Sequence, residues 1–255
     1  MLFRSSRRFV FAAVLLCAIG VAGAVSASTL QDVKARGVIK VAMADFDIVP
    51  FVMGPGDRVT GFDMDLATKV AEKLGVKMQI VRLPWANGID RAWTPGYAWD
   101  LFDIACTSIT ITGARAQVCD FSEWYFKTGQ LAMVKKTSPV KTVEDIKGKS
   151  IGCLSGSTGM TLVEKKYPES KMLPFETVPD IENGLTMGVV EVGIFDGMTV
   201  LDVVRKTPDL RYIDTYLTEE NYGVAMKKGS DLKTVIDEVV TANRDAFKAK
   251  WIDKK

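Results

Sequence analysis

Histidine is absent from all 255 residues. Its absence removes the Ser-His-Asp and Cys-His arrangements and the imidazole ligands of most zinc sites, so serine hydrolysis and zinc chemistry are not expected. Cysteine is scarce, with only Cys17, Cys106, Cys119 and Cys153. Without a histidine to activate it, none of these reads as a catalytic thiol. A charge excess is missing too: 33 basic and 31 acidic residues leave a net charge of +2. Nucleic-acid binders carry a strong basic bias, so a nucleic-acid partner is not expected. Long apolar runs are confined to the beginning of the chain, and beyond Ala27 none approaches the roughly 20 residues of a membrane-spanning helix.

The start of the chain reads as an export signal. Arg4, Arg7 and Arg8 precede an uncharged apolar run over residues 9–25, and Val25-Ser26-Ala27 offers the small residues that a signal peptidase cuts after. Removal of residues 1–27 takes away three arginines and no acid, so the net charge becomes −1. Leu15-Leu16 ahead of Cys17 is a poor fit to a lipid-modified cysteine. In an oxidising compartment the remaining three cysteines permit one disulfide and one free thiol, with Cys106 and Cys119 the nearer pair.

What is present is an alternation of strands and helices. Residues 30–36 predict a short helix ended by Gly37, and 38–43 a strand. Phe62, Leu66, Val70 and Leu74 repeat every four residues on one face, with Lys69, Glu72 and Lys73 facing away and Gly75 at the stop. Val76, Met78 and Ile80 alternate with polar residues, as in a half-buried strand. The order then restarts: 29–41 resembles 142–154, each a short capped helix feeding an apolar strand. Further strands are predicted over 175–178, 189–195 and 210–213, and helices over 160–166, 181–187, 198–206 and 231–251. Strands separated by helices favour parallel sheets covered on both faces, and two starts favour two α/β lobes. Ligands of such sheets bind beyond the carboxyl ends of the strands.

Four stretches stand at such junctions: 43–51, 83–89, 103–115, and 155–159 with its later match 194–197. In the third, Thr107, Ser108, Thr110, Thr112 and Arg115 place four hydroxyls and a guanidinium within nine residues. A guanidinium fork fits a carboxylate with two parallel hydrogen bonds. The same stretch also reads as a polar turn whose arginine pairs with a structural acid. Ser155–Gly159 precedes a helix and reads either as a cap or as a set of amides that attract an anion. It is not a phosphate loop, because no lysine follows the glycines. Asp196 ends an apolar strand, where it can meet an ammonium or cap the next helix.

In this order these stretches resemble the periplasmic solute-binding proteins of polar amino-acid ABC transporters. The likeness rests on Gly61-Phe-Asp-Met-Asp-Leu-Ala67, Ser108-Ile-Thr-Ile-Thr-Gly-Ala-Arg115, Val118-Cys-Asp-Phe-Ser122 with Tyr125, Gly156-Ser-Thr158, the strand into Asp196, and Asn221-Tyr-Gly-Val-Ala-Met-Lys-Lys-Gly-Ser-Asp231. It implies a type II periplasmic-binding-protein fold, two α/β lobes closing on a ligand like a Venus flytrap. Residues 28–126 plus 225–255 would form lobe 1, residues 130–220 lobe 2, and 127–129 and 221–224 the hinges. The resemblance implies that Arg115 clamps a ligand α-carboxylate with help from Ser108, Thr110, Ser157 and Thr158, and that Asp196 binds the α-ammonium. Asp45 and Ile48 would lie by the ligand side chain, with Trp85 as an aromatic wall. It further implies a monomer that delivers its solute to a membrane permease, with no cofactor and no metal.

The sequence departs from that pattern in places. Residues 90–102 are longer and richer in aromatics than the usual helix and turn, Glu191 stands for a common aspartate, Trp124 for a common proline, and Gly113-Ala114 for a polar pair. Cyclohexadienyl dehydratases share these motifs but carry a glutamate after the Gly-Gly-Thr loop, where this chain has Met160. A sensory module, or a pocket altered for a ligand that is not an amino acid, are the other readings of the same resemblance.

Overall fold

Val38–Ala44 (β1) is almost continuously apolar because it is covered on both faces, the expected composition of a central parallel strand. In this computed structural model, which describes residues 30–253, β1 pairs in parallel with Lys77–Leu83 (β2) and with Ile104–Ala105 (β3). Cys119–Phe121 (β4) and Ala225–Lys227 (β12) complete a five-stranded sheet of order β2-β1-β3-β12-β4, so the end of the chain returns to the first lobe. The second sheet is built the same way around Ser150–Leu154 (β7), which lies parallel to both Lys171–Phe175 (β8) and Val192–Asp196 (β9). Gln130–Lys135 (β6) and Leu210–Tyr212 (β10) are antiparallel additions, giving the order β10-β6-β9-β7-β8. The restart legible in the sequence is therefore a repeat of topology, although its short helix at Glu144–Ile146 is 3-10.

Between the sheets run two antiparallel strands, Phe126–Thr128 (β5) and Glu220–Tyr222 (β11). They carry the chain from the first sheet to the second and back.

The helices follow the sequence pattern closely. Phe62–Leu74 (α2) buries Phe62, Leu66, Val70 and Leu74 and leaves Lys69, Glu72 and Lys73 exposed. Gly61 precedes it with φ 129°, and a Cβ there would stand 2.2 Å from the Phe51 carbonyl oxygen, so only glycine fits the approach. Leu232–Trp251 (α7) packs along α2, with the Phe62 and Phe247 ring centroids 5.7 Å apart.

Two of the boundaries that differ from expectation have a clear local cause. The strand expected over 175–178 lies upstream in β8, because the Thr177 hydroxyl accepts from the Asp180 N–H and starts Val178–Met187 (α5) three residues early. The strand expected from Val189 begins at Val192, since Gly188 ends α5 in the left-handed conformation and Val189 is left exposed.

Cys106, Cys119 and Cys153 are buried free thiols, and the Cys106–Cys119 pairing that the sequence permits is not formed. Each of the first two thiols donates to a main-chain oxygen, Cys106 to Asp63 and Cys119 to Arg115. Burial pushes the Cys119 thiol up to about 11 and that of Cys153 to about 12. Dithiothreitol is therefore expected to leave the unfolding temperature unchanged, whereas reducing a native disulfide would remove about 2–4 kcal/mol. Ellman's reagent should reach these three thiols only after denaturation. The export segment over residues 1–27 and its cleavage point near Ala27 lie outside the described residues.

Candidate functional site

The loop after β3 is held by a buried acid. Asp63, in the first turn of α2, accepts from the Ser108 N–H at 2.7 Å and from the Ser108 hydroxyl at 3.2 Å. The Ser108 N–H also lies 3.0 Å from the Tyr125 hydroxyl. These bonds keep Ser108 at φ 54°, an uncommon conformation for a residue with a side chain. Two residues on, the backbone meets Tyr222 of β11 at Thr110.

Burial, opposed by the bonds from Tyr125 and Ser108, pushes the Asp63 carboxyl up to about 7. A carboxyl raised above its unfolded value of 3.8 stabilises the fold fully below that value, and the contribution is lost as pH rises through about 7. Unfolding by urea should therefore require less denaturant at pH 8 than at pH 5, and Asp63→Asn should shrink that difference. Asp63→Ala, which strands the Ser108 and Tyr125 donors, is expected to cost about 2–4 kcal/mol.

Gly113–Val118 (α3) then presents Arg115. Its N-cap is Thr112, whose hydroxyl oxygen accepts the Arg115 N–H at 3.2 Å. The Arg115 guanidinium is buried between the lobes. It donates to the Thr110 carbonyl at 2.9 Å and to the Gly156 carbonyl of the other lobe at 3.5 Å, and lies 3.9 Å over the Trp93 ring. Burial lowers its pKa to about 10, against the pull of Glu220 and Asp196.

From the second lobe come Ser157 and Thr158, at the start of Thr158–Lys166 (α4), and Asp196 at the end of β9. The Ser157 hydroxyl caps α4 by accepting from the Met160 N–H. Asp196 makes no capping hydrogen bond to Gly197–Lys206 (α6); its carboxylate accepts instead from the Gln130 side-chain amide. Burial, then the charge of Glu220, push the Asp196 carboxyl up to about 7.

Glu220 on β11 joins these groups. Its Oε2 accepts from Thr110 Oγ1 at 2.7 Å, Thr158 Oγ1 at 3.1 Å and Gln130 Nε2 at 3.3 Å, and its Oε1 accepts from Thr218 Oγ1 at 3.0 Å. One carboxylate thus binds hydroxyls from both lobes at the crossing strands.

Thr110, Arg115, Ser157 and Thr158 line one cleft of about 540 Å³, together with Trp93 and Glu220. Asp196 reaches it through Gln130, which also bonds to Thr158 and Glu220. Trp85 is buried, with its ring 5.9 Å from Trp93 and its Cδ1 edge turned to Gly156 of the opposite lobe. Trp85 and Asp196 are thus behind the cleft wall and not part of it, and three further expected residues do not line the cleft either. Ser108 turns its hydroxyl to Asp63, and Ile48 is packed in the core of its own loop. Asp45 is exposed at the end of β1, its charge beside Arg82. Of the aromatic segment 90–102, Trp93 faces the cleft while Trp99 and Phe102 pack edge to face within the first lobe.

Glu220, Gln130 and Trp93 were not singled out from the sequence. Their signals were faint: an acid just before Asn221-Tyr222-Gly223, one amide at the head of an apolar strand, and one indole in an unusual segment. Among the described residues no group of acids and cysteines could hold a metal ion.

Comparison with known proteins agrees with this architecture. The L-cystine-binding protein TcyJ of Escherichia coli K12 is 27% identical over 252 residues, 95% of this chain and 92% of that protein. The ABC transporter glutamine-binding protein GlnH of Bacillus subtilis is 26% identical, covering 95% and 93%. The solved structure of a Gly52Ala mutant of arginine-bound ArgBP from T. maritima is 31% identical, with a TM-score of 0.77 over 84% of this chain and 99% of that one. Residues 39–255 match the family of bacterial extracellular solute-binding proteins, family 3, and the chain belongs to that family.

Proposed function

We propose that the protein captures an α-amino acid between its two lobes outside the cytoplasmic membrane and hands it to an ABC importer. One observation carries this reading: a buried guanidinium, Arg115 of the first lobe, and a buried carboxylate, Asp196 of the second, are near enough for each to act on the other's charge. A zwitterion offers each the opposite charge, so it gains most when the lobes are together, which is the differential affinity that a population shift requires. The cystine, glutamine and arginine named for the relatives are all α-amino acids and share this head group.

Arg115 would clamp the carboxylate and Asp196 the ammonium, with Trp93 and Trp85 as the wall toward the ligand side chain. Lobe 1 would comprise residues 28–126 and 225–255, and lobe 2 residues 130–220. Bending at 127–129 and 221–224 is supported by the β5–β11 ladder, where only two strands cross. Residues 1–27 would be removed on export to the periplasm, and the mature protein would act as a monomer that docks a permease. Binding rather than catalysis is supported by Met160, which offers no proton-transfer group where the dehydratases carry glutamate.

Thermal unfolding of the ligand-stripped protein against the twenty standard amino acids and L-cystine tests the reading. A ligand at about 100 times its Kd stabilises by about 2.7 kcal/mol, a readable shift. No shift with any of them would refute it.

A further inference from the structure

Behind the cleft wall, two buried polar atoms have no partner among the described residues: the acceptor Asp90 Oδ1 and the indole N–H donor of Trp85. Both belong to one short turn of the first lobe. The Asp90 N–H donates to the Trp85 carbonyl at 3.0 Å where the 3-10 turn Ile89–Trp93 begins, so the backbone fixes the spacing of the two side chains. Across the seam between the lobes stands Gly156. A Cβ built on it would lie 3.4 Å from Asp90 Oδ2 and 4.0 Å from Trp85 Cδ1. Its φ of 69° favours glycine, which leaves the two side chains facing backbone. Gly156 and Trp93 both line the cleft, and the Trp93 ring lies 5.9 Å from that of Trp85, so the turn adjoins the cleft directly. Bending at the hinge would uncover the two atoms, and closing would shut them in with whatever they hold. A buried donor or acceptor left unmade disfavours the arrangement that buries it by about fivefold to a hundredfold. Closure therefore gains from a ligand group that supplies both bonds.

We propose that Asp90 and Trp85 form the subsite for the ligand side chain and select an amino acid that ends in a carboxamide or ureido group. Such an end carries an N–H for Asp90 and a carbonyl oxygen for the indole. An ammonium or guanidinium has donors only and would leave the Trp85 N–H unpaired. A carboxylate has acceptors only and would set its charge against that of Asp90. The charges point the same way. Asp90 is one of the acids whose charge acts on Arg115. The Arg115 guanidinium reaches the Gly156 carbonyl at 3.5 Å and stacks on Trp93 at 3.9 Å. The negative charge of the turn thus already has a positive neighbour in the protein, and a neutral dipole suits it better than a second cation.

The proposal rests on the amino-acid reading, and its test tells the two apart. Calorimetric titration of the wild type uses matched probes: L-asparagine with L-aspartate, L-glutamine with L-glutamate, and L-citrulline with L-arginine. L-Methionine, the remaining standard amino acids and L-cystine complete the panel. The tightest ligand is expected to end in an amide or ureido group, and to exceed its charged counterpart and L-methionine by at least about tenfold. Trp85→Phe keeps a ring and removes the N–H. It should weaken that ligand about tenfold while changing L-methionine less than about twofold. Asp90→Asn removes the charge-assisted contact and should narrow the same preference by about threefold or more. A tightest ligand without an amide or ureido end overturns the proposal, arginine above citrulline included. Equal losses for that ligand and for L-methionine in both variants would show that the turn only walls the cleft, and overturn it as well. If Trp85→Phe fails to fold, an unchanged preference in Asp90→Asn is sufficient to reject it. Wild-type protein that binds no amino acid would refute the underlying reading instead.

Discussion

Arg115→Ala is expected to abolish measurable amino-acid binding while the protein still unfolds in one cooperative transition. The guanidinium is the one buried cation among the residues lining the cleft, and its fork is anchored from behind by the Thr110 carbonyl. A ligand carboxylate brought between the lobes without it would be desolvated and unpaired, and leaving one partner of a buried charge pair alone costs about 3–5 kcal/mol. That corresponds to a loss in affinity of more than about a hundredfold. Arg115→Lys should recover only part of it, because an ammonium provides a point charge in place of a planar fork, and the stacking on Trp93 at 3.9 Å is lost. Titration calorimetry with the best-binding amino acid decides the matter. Near-normal affinity in Arg115→Ala would mean that the carboxylate is held elsewhere.

The second large effect is on pH dependence. Burial and the charge of Glu220 raise the Asp196 carboxyl to about 7, so below that pH it carries a proton. A ligand ammonium needs the ionised form, and binding must expel the proton. Affinity should therefore rise with pH, by up to about tenfold per unit below 7, and level off once Asp196 is ionised before the ligand amine itself begins to lose its proton. Asp196→Asn should bind at least about tenfold more weakly at pH 8 and show a nearly flat profile between pH 5 and 8. Proton release can be read directly by repeating the titration at pH 6 in buffers of different ionisation enthalpy. A wild-type profile without slope would place the ammonium away from Asp196.

The same proton also links the site to stability. Both Asp63 and Asp196 are raised from 3.8 to about 7, so each favours the folded chain most at low pH and gives up that preference as pH approaches 7. Ligand binding reverses the sign for Asp196 alone, since the ammonium restores the preference for its charged form. Saturating amino acid should therefore stabilise the protein more at pH 8 than at pH 5.

Much of this molecule was legible in the amino-acid order. The row Phe62, Leu66, Val70 and Leu74, the apolar run of β1, and the second start at Thr142 determined helix faces, a buried central strand and two lobes, because side-chain periodicity of 3.6 or 2 is local and chain geometry enforces it. Arg115 and Asp196 could be named for the same reason, since each stands at the end of an apolar strand or the short helix after it. What only the tertiary structure decided is where the hydrogens go. Glu220 is 110 residues from Thr110 and 62 from Thr158, and Gln130 is 66 from Asp196. Ser108 could be seen to carry a hydroxyl, but its orientation toward Asp63, 45 residues away, follows from how α2 packs beneath the loop. Trp93 and Asp45 exchanged expected prominence for a similar reason, one turned into the cleft and the other left in solvent by the path of the loops around them. The sequence determines which groups are available and which face of an element they occupy. Which donor meets which acceptor depends on how two separately wound sheets come together, and no local pattern encodes that distance.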